Sequence, residues 1–196
     1  MDQKRRVSIR PMVKQDFPVI YQLMHGVSGN KIPEWKKWDA PYFPYHKPSF
    51  RLFKQQMLEE MEEKQRFVIE TMEGEPIGIV TFYWEHRPSY WLEMGIVIYD
   101  PKYWNGGYGT QALILWMEHL FERFPLVRIG FTTWSGNERM MKVGEKCGMV
   151  LESRIRKCRH YQGVYYDSIR YGILREEWEA IRQDLLQRYF LDALKS

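Results

Sequence analysis

Residues 94–121 read as a strand, a glycine-dense turn and a helix with nothing between them, and this joint narrows what the chain can become. MGIVIY is apolar and β-branched, as a buried strand is. DPKYWNGGYG then brings a proline, aromatics and clustered glycines, and TQALILWMEHLF opens a helix at once. Leu113, Trp116, Leu120 and Phe124 share one face of that helix. A helix that starts on glycines exposes the N–H groups of its first turn and lets another molecule approach the main chain closely. Such a joint suits a phosphate or diphosphate.

The flanking elements follow from periodicity. Val7–Val13 alternates like a strand. A helix opening at Gln15-Asp16 carries Phe17, Ile20, Tyr21, Leu23 and Met24, with Pro18 in its first turn, where a missing N–H does no harm. Residues 32–50 hold four prolines and six aromatics and read as an ordered, irregular loop with at most short helical pieces. A helix is expected over Ser49–Lys64, and Arg66–Thr71 and Ile77–Trp84 form a hairpin around MEGEP. Trp91–Tyr99 and Leu126–Thr132 are strands on either side of the helix from Gly107 to Phe124. Asn137 is an N-cap for a helix that reaches Cys147 and stops at Gly148. Val150–Arg159 and Val164–Leu174 make a last hairpin, and REEWEAIRQDLLQRYF is a final helix. The expected fold is a mixed α/β class: a central, mostly antiparallel sheet of about seven strands, with helices on both faces. A crossover through the helix after the turn makes its two strands a parallel pair, which should meet near the glycines. One domain over 1–196 is expected, with 176–196 as a C-terminal helical extension.

Composition excludes several classes. No apolar run is long enough to span a bilayer, and no apolar stretch follows the basic opening MDQKRRVSIR, which argues against a secretory signal and a membrane partner. Cys147 and Cys158 have no metal-like spacing and read as reduced thiols of a cytoplasmic protein. The five histidines are scattered, so no metal site is expected. A net charge of +4 suits an anionic cofactor but is too small to argue for nucleic acid. The aromatic share, 16%, exceeds what a core of this size needs, so some rings should line a cavity.

GYGTQA satisfies the dinucleotide fingerprint G-x-G-x-x-A. A nicotinamide or flavin fold would place it in the first βαβ unit and end the next strand in an acid. Here three antiparallel strands precede it, and LVRIGFTTW ends without Asp or Glu. A nucleotide P-loop lacks its Gly-Lys-Ser/Thr, and a plain tight turn needs no cluster of glycines.

Asp100-Pro101-Lys102-Tyr103-Trp104-Asn105-Gly106-Gly107-Tyr108-Gly109 resembles motif A of the GNAT superfamily of acetyl-CoA-dependent N-acetyltransferases, roughly Gln/Arg-x-x-Gly-x-Gly/Ala after a strand. Trp104 departs from it at the first position. Gly136-Asn137-Glu138-Arg139, Glu145-Lys146-Cys147-Gly148, Tyr166-Asp167-Ser168 and Arg175-Glu176-Glu177-Trp178 are similar to the branch that acetylates α-amines of ribosomal proteins.

The resemblance implies an acyltransferase that moves an acetyl group from acetyl-CoA, its co-substrate, directly to a primary amine: a protein N-terminus or a small molecule. It implies that the central parallel pair is splayed apart before the turn, with cofactor contacts there from the backbone of Val97, Ile98 and Tyr99, from the turn Trp104, Asn105, Gly106, Gly107, Tyr108, Gly109 and Thr110, and from Asn137. Glu93 shares a strand face with Gly95, Val97 and Tyr99 and is the leading general base; Glu152 is the second choice. Relatives use a Tyr or a Ser as general acid where this chain has Gly144 and Met140. That gap leaves a non-catalytic acyl-CoA-binding module as the alternative. Trp35, Trp38, Tyr42, Phe43 and Tyr45 are either an aromatic wall for a cationic amine or a self-packed cover. Glu34 and Asp39 are the only acids among them, which disfavours a highly charged polyamine. The basic run Arg154–His160 reads as a solvated edge strand, and the last helix as a possible homodimer contact.

Overall fold

A computed structural model describes residues 5–26, 31–61 and 63–190. In chain order its elements are β1 (Val7–Pro11), α1 (Phe17–His25), α2 (Phe50–Met61), β2 (Arg66–Thr71), β3 (Pro76–His86), β4 (Trp91–Ile98), α3 (Tyr108–Arg123), β5 (Arg128–Trp134), α4 (Glu138–Lys146), β6 (Val150–Tyr161), β7 (Val164–Leu174) and α5 (Arg175–Phe190). They build one seven-stranded sheet in the order β1-β2-β3-β4-β5-β7-β6. Only β4–β5 is parallel, as the crossover through α3 requires.

Each face of the sheet buries its own core. Along β4 the side chains alternate: Leu92, Met94, Ile96 and Ile98 join the cluster under α3 and α5, while Val97 and Tyr99 join the one under α1 and α2. Trp116 and Trp178 are buried in the first cluster, and Phe17, Ile20, Phe53 and Met57 in the second. The basic run expected at an edge is there: β6 is the outer strand, largely exposed.

The central pair is splayed, as the resemblance implies, but it does not meet near the glycines. β4 and β5 are paired only at Trp91–Arg128, Leu92–Ile129 and Glu93–Gly130. The strands therefore meet at the end far from the glycines and are apart where the turn begins. The cause is that each strand keeps its other neighbour. β4 stays on β3 as far as Ile98, and β5 stays on β7 as far as Trp134. Each follows the twist of its own partner, and a wedge opens between them.

Some boundaries also move. β5 runs two residues later than Leu126–Thr132, because the carbonyls of Leu126 and Val127 are taken by Arg175 rather than by a ladder. This brings Thr133 and Trp134 into the strand. α2 stops at Met61, and Lys64 turns the chain with φ +49°.

β3 and β4 approach closely at Gly78, where a Cβ would lie 2.2 Å from the Val97 carbonyl oxygen. Gly78→Ala is expected to cost about 1–3 kcal/mol, the range of an overpacked core. The shift in urea midpoint at constant m-value checks this.

Candidate active site

The wedge opens into a cavity of about 930 Å³. Its floor is β4 from Met94 to Ile98 with Tyr99 just beyond, and β5 from Phe131 to Trp134 forms one wall. Trp104, Asn105, Gly107, Gly109 and Thr110 close one end. Asp100 Oδ1 accepts a bond from Lys102 N and turns the chain out of β4, and the Trp104 indole N–H anchors the turn on the Ile98 carbonyl at 2.8 Å. Asn105 (φ +60°) and Gly107 (φ +86°) are both left-handed, and Gly107 caps α3. The N–H groups from Asn105 to Thr110 have no backbone partner among the described residues. They form a cradle of donors at the positive end of a sixteen-residue helix. Of the residues expected to hold a cofactor, Gly106 and Tyr108 stay off the cavity, with the Tyr108 ring packed on Tyr103.

The loop after α1 closes another side, where the Trp38 ring meets the Trp104 ring at 6.5 Å between centroids. Trp35, Trp38, Asp39, Ala40 and Tyr42 line the cavity, so the loop is a wall there. Phe43 is exposed, and the Tyr45 hydroxyl lies 2.7 Å from His25 Nδ1. One main-chain atom ties the wall to the sheet: the Trp38 carbonyl accepts from Trp134 Nε1 at 2.8 Å and from Asn137 Nδ2 at 3.0 Å. Asn137 also caps α4, its Oδ1 accepting from Met140 N. Asn137, read from sequence as a cofactor ligand and helix cap, is thus the loop's anchor as well. Nearby, the Tyr99 hydroxyl is buried with no partner, and burial raises the phenol above its ordinary pKa.

Glu93 sits at the apex of the wedge, fully buried and off the cavity surface. Its Oε2 accepts from Thr132 Oγ1 at 2.7 Å and from the Tyr83 hydroxyl at 3.1 Å. Arg170 Nε lies 3.0 Å from Oε1, an ionic contact, since its N–H points at Thr132 Oγ1. Burial, then the adjoining carboxylate, raises the Tyr83 pKa, so this phenol stays a donor. Thr132 is exposed and lines the cavity, which makes it the only atom-scale bridge from Glu93 to that space among these partners. Glu152, the second choice, is paired with Arg128 away from the cavity. Among the described residues no cluster of His, Cys, Asp and Glu could hold a metal ion, and no helix is long and apolar enough to cross a membrane.

A family model for the acetyltransferase (GNAT) domain matches residues 6–150, most of the chain. The chain belongs to the GNAT acetyltransferase family. It is accordingly an N-acetyltransferase, an acyl-transferring enzyme. Among curated relatives it is 25% identical over 180 residues to spermidine N(1)-acetyltransferase of Escherichia coli (strain K12), covering 92% of each chain. It is 30% identical over 70 residues to YdaF of Bacillus subtilis (strain 168), provisionally named a ribosomal N-acetyltransferase, covering 36% of this chain and 38% of that one. The Vibrio cholerae spermidine N-acetyltransferase crystallised with CoA and spermine shares the fold. Its TM-score is 0.73 at 19% identity, covering 88% of this chain and 97% of that one.

One departure from the GNAT motifs has a physical account. A Cβ at Gly144 would stand 2.7 Å from Phe131 Cζ, so the Phe131 ring, which lines the cavity, fills the room a side chain at 144 would need. Met140 lines the cavity without a hydroxyl. Cys147 is buried, and burial pushes its thiol up to about 12, which leaves it inert. Sequence reading missed Thr132, Arg170 and Arg139 at the site; a cation in the first turn of α4 was the one local signal among them.

Gly107→Ala is expected to cost about 1–2 kcal/mol from its left-handed backbone and to weaken CoA binding. Gly74→Ala, at φ +82° in the β2–β3 turn, is the control. It should lose similar stability and leave CoA affinity unchanged. Denaturant melts and calorimetric titration check both.

Proposed function

We propose that this enzyme carries the acetyl group of acetyl-CoA to a primary amine, either a protein N-terminus or a small-molecule amine. The observation that carries the reading is that one cavity joins the N–H cradle at α3 to an aromatic chamber by way of the open edge of β4. The cradle at 105–110 suits a diphosphate. The open edge of β4 at Ile96 and Ile98 suits an amide-bearing arm, since Tyr99 N bonds the Ile77 carbonyl and Val97 faces Ile79 on β3, and an N–H there would polarise a thioester carbonyl. Bound acetyl-CoA would supply the activated acyl group.

Glu93 is the proposed proton acceptor, reached through Thr132. The attacking amine must be neutral, so its proton leaves as the bond to carbon forms. A proton passed to Thr132 Oγ1 releases that hydroxyl's own proton along the 2.7 Å bond to Glu93. Tyr83 and Arg170 hold the carboxylate in line. With Phe131 in the room of an α4 phenol, the thiolate departs unaided or with solvent.

The chamber is aromatic and poor in carboxylates. Trp35, Trp38 and Tyr42 line it, with Arg139 against Trp38 and Arg159 against Tyr42, while Asp39 is the one carboxylate of the loop on the cavity. The relatives named for spermidine and for ribosomal acetylation both use amines, and this chamber fits a monoamine or a peptide end better than a polyamine. No observation favours a binding module without turnover.

Glu93→Gln and Thr132→Val should each lower kcat by about 10²- to 10⁴-fold, the usual share of general base catalysis, with CoA affinity unchanged. Thiol release with peptides, aromatic monoamines and spermidine as acceptors checks this. Full rates in both variants would overturn the proton route, and no turnover with any amine would overturn the activity.

A further inference from the structure

Arg139 has an environment that neither its helix nor its neighbours explain. It stands in the first turn of α4, where the helix dipole disfavours a cation. Its guanidinium carbon lies 4.3 Å from the Trp38 ring and 4.7 Å from the Trp104 ring, in the corner made by two nearly perpendicular indoles. It forms no ion pair among the described residues, and its Nη1 is buried without a hydrogen-bond partner. A buried guanidinium N–H with no acceptor is costly unless something else fills the role. Two further cations, Lys142 and Lys146, follow on the same helix face and line the same cavity, also without ion pairs among the described residues. Arg139 abuts the Trp104 turn, and all three cations line the cavity into which the N–H cradle opens, so the row calls for a polyanion there.

Resting on the acetyl-CoA reading above, we infer that Arg139 grips the cofactor diphosphate from the α4 side and couples that grip to the acceptor wall. The two indoles give it this second role. Trp104 belongs to the cofactor turn, and Trp38 to the loop that lines the acceptor chamber. A guanidinium drawn onto a phosphate oxygen stays against Trp104 and holds Trp38 with it, while the Trp38 carbonyl is kept in place by Trp134 and Asn137. Cofactor occupancy then sets the shape of the acceptor chamber, and the amine binds second. Arg139 is a binding and positioning residue, with no part in proton transfer.

The test compares donors that differ in their phosphates: acetyl-CoA, acetyl-dephospho-CoA and S-acetylpantetheine. Arg139→Met should lower kcat/KM about ten- to a hundredfold, the worth of a hydrogen bond to a charged group, for acetyl-CoA and for acetyl-dephospho-CoA alike. It should leave S-acetylpantetheine unchanged, and it should raise the amine KM at saturating acetyl-CoA. Arg139→Lys, which keeps the charge, should lose less and guards against a folding defect in the methionine variant. An equal loss with all three donors would mean a structural role and overturn the inference, as would no loss with acetyl-CoA. A loss confined to acetyl-CoA would move the contact to the 3′-phosphate and also overturn it. Failure of the wild-type protein to bind CoA at all would instead remove the reading beneath it.

Discussion

The parting of β4 from β5 after Glu93 is the constraint on which the rest of the molecule depends. Polar main-chain groups must be paired when buried. Up to Glu93 the two strands satisfy each other; beyond it, each has one edge bonded and one edge open. The structure answers this where the Trp104 indole closes on the Ile98 carbonyl and where Asn137 N closes on the Trp134 carbonyl. Everywhere else along the wedge the open edge faces a cavity, and a ligand with amides of its own is the natural complement. The glycines of the turn serve the same end, since they free the main chain to present its N–H groups at the wide end of the gap.

The site is built from parts of the chain that are far apart. The Trp38 carbonyl receives donors from Trp134 and Asn137, which lie 96 and 99 residues away in sequence. Glu93 is bonded by Tyr83 from β3 and Thr132 from β5, and is paired with Arg170 from β7. Three strands of the sheet thus converge on one carboxylate, which fixes it more firmly than a solvated base would be. The cost is reach: Glu93 meets the cavity only through a threonine hydroxyl. That geometry separates an orienting network from the surface where an acceptor would sit.

Much of this was legible in the sequence. The order of twelve strands and helices, the single parallel pair and the two-sided burial follow from periodicity and from one glycine-rich crossover, both of which are local signals. The strand face shared by Glu93 and Val97 followed from alternation alone. What was not legible depends on contacts between layers. Nothing in the spacing of α4 says that Arg139 will lie between Trp38 and Trp104, because helical periodicity marks which face is turned inward and not what it meets. The meeting point of β4 and β5 was misplaced for a related reason. The sequence of a strand shows that it is buried, but its register with a parallel neighbour is set by competition with its other partner. Gly144 is the clearest instance: its meaning lies in Phe131, thirteen residues away, whose ring occupies the space beside it.

The most direct test of the central claim is amide hydrogen exchange with and without CoA. If the open edge and the glycine turn are where the cofactor arm and diphosphate bind, amides of Ile96 and Ile98 and of Asn105–Thr110 should slow strongly on binding, while those of the β6–β7 hairpin stay as they were. Saturation with CoA that leaves both stretches unprotected, or that protects only sites away from the wedge, would contradict the account.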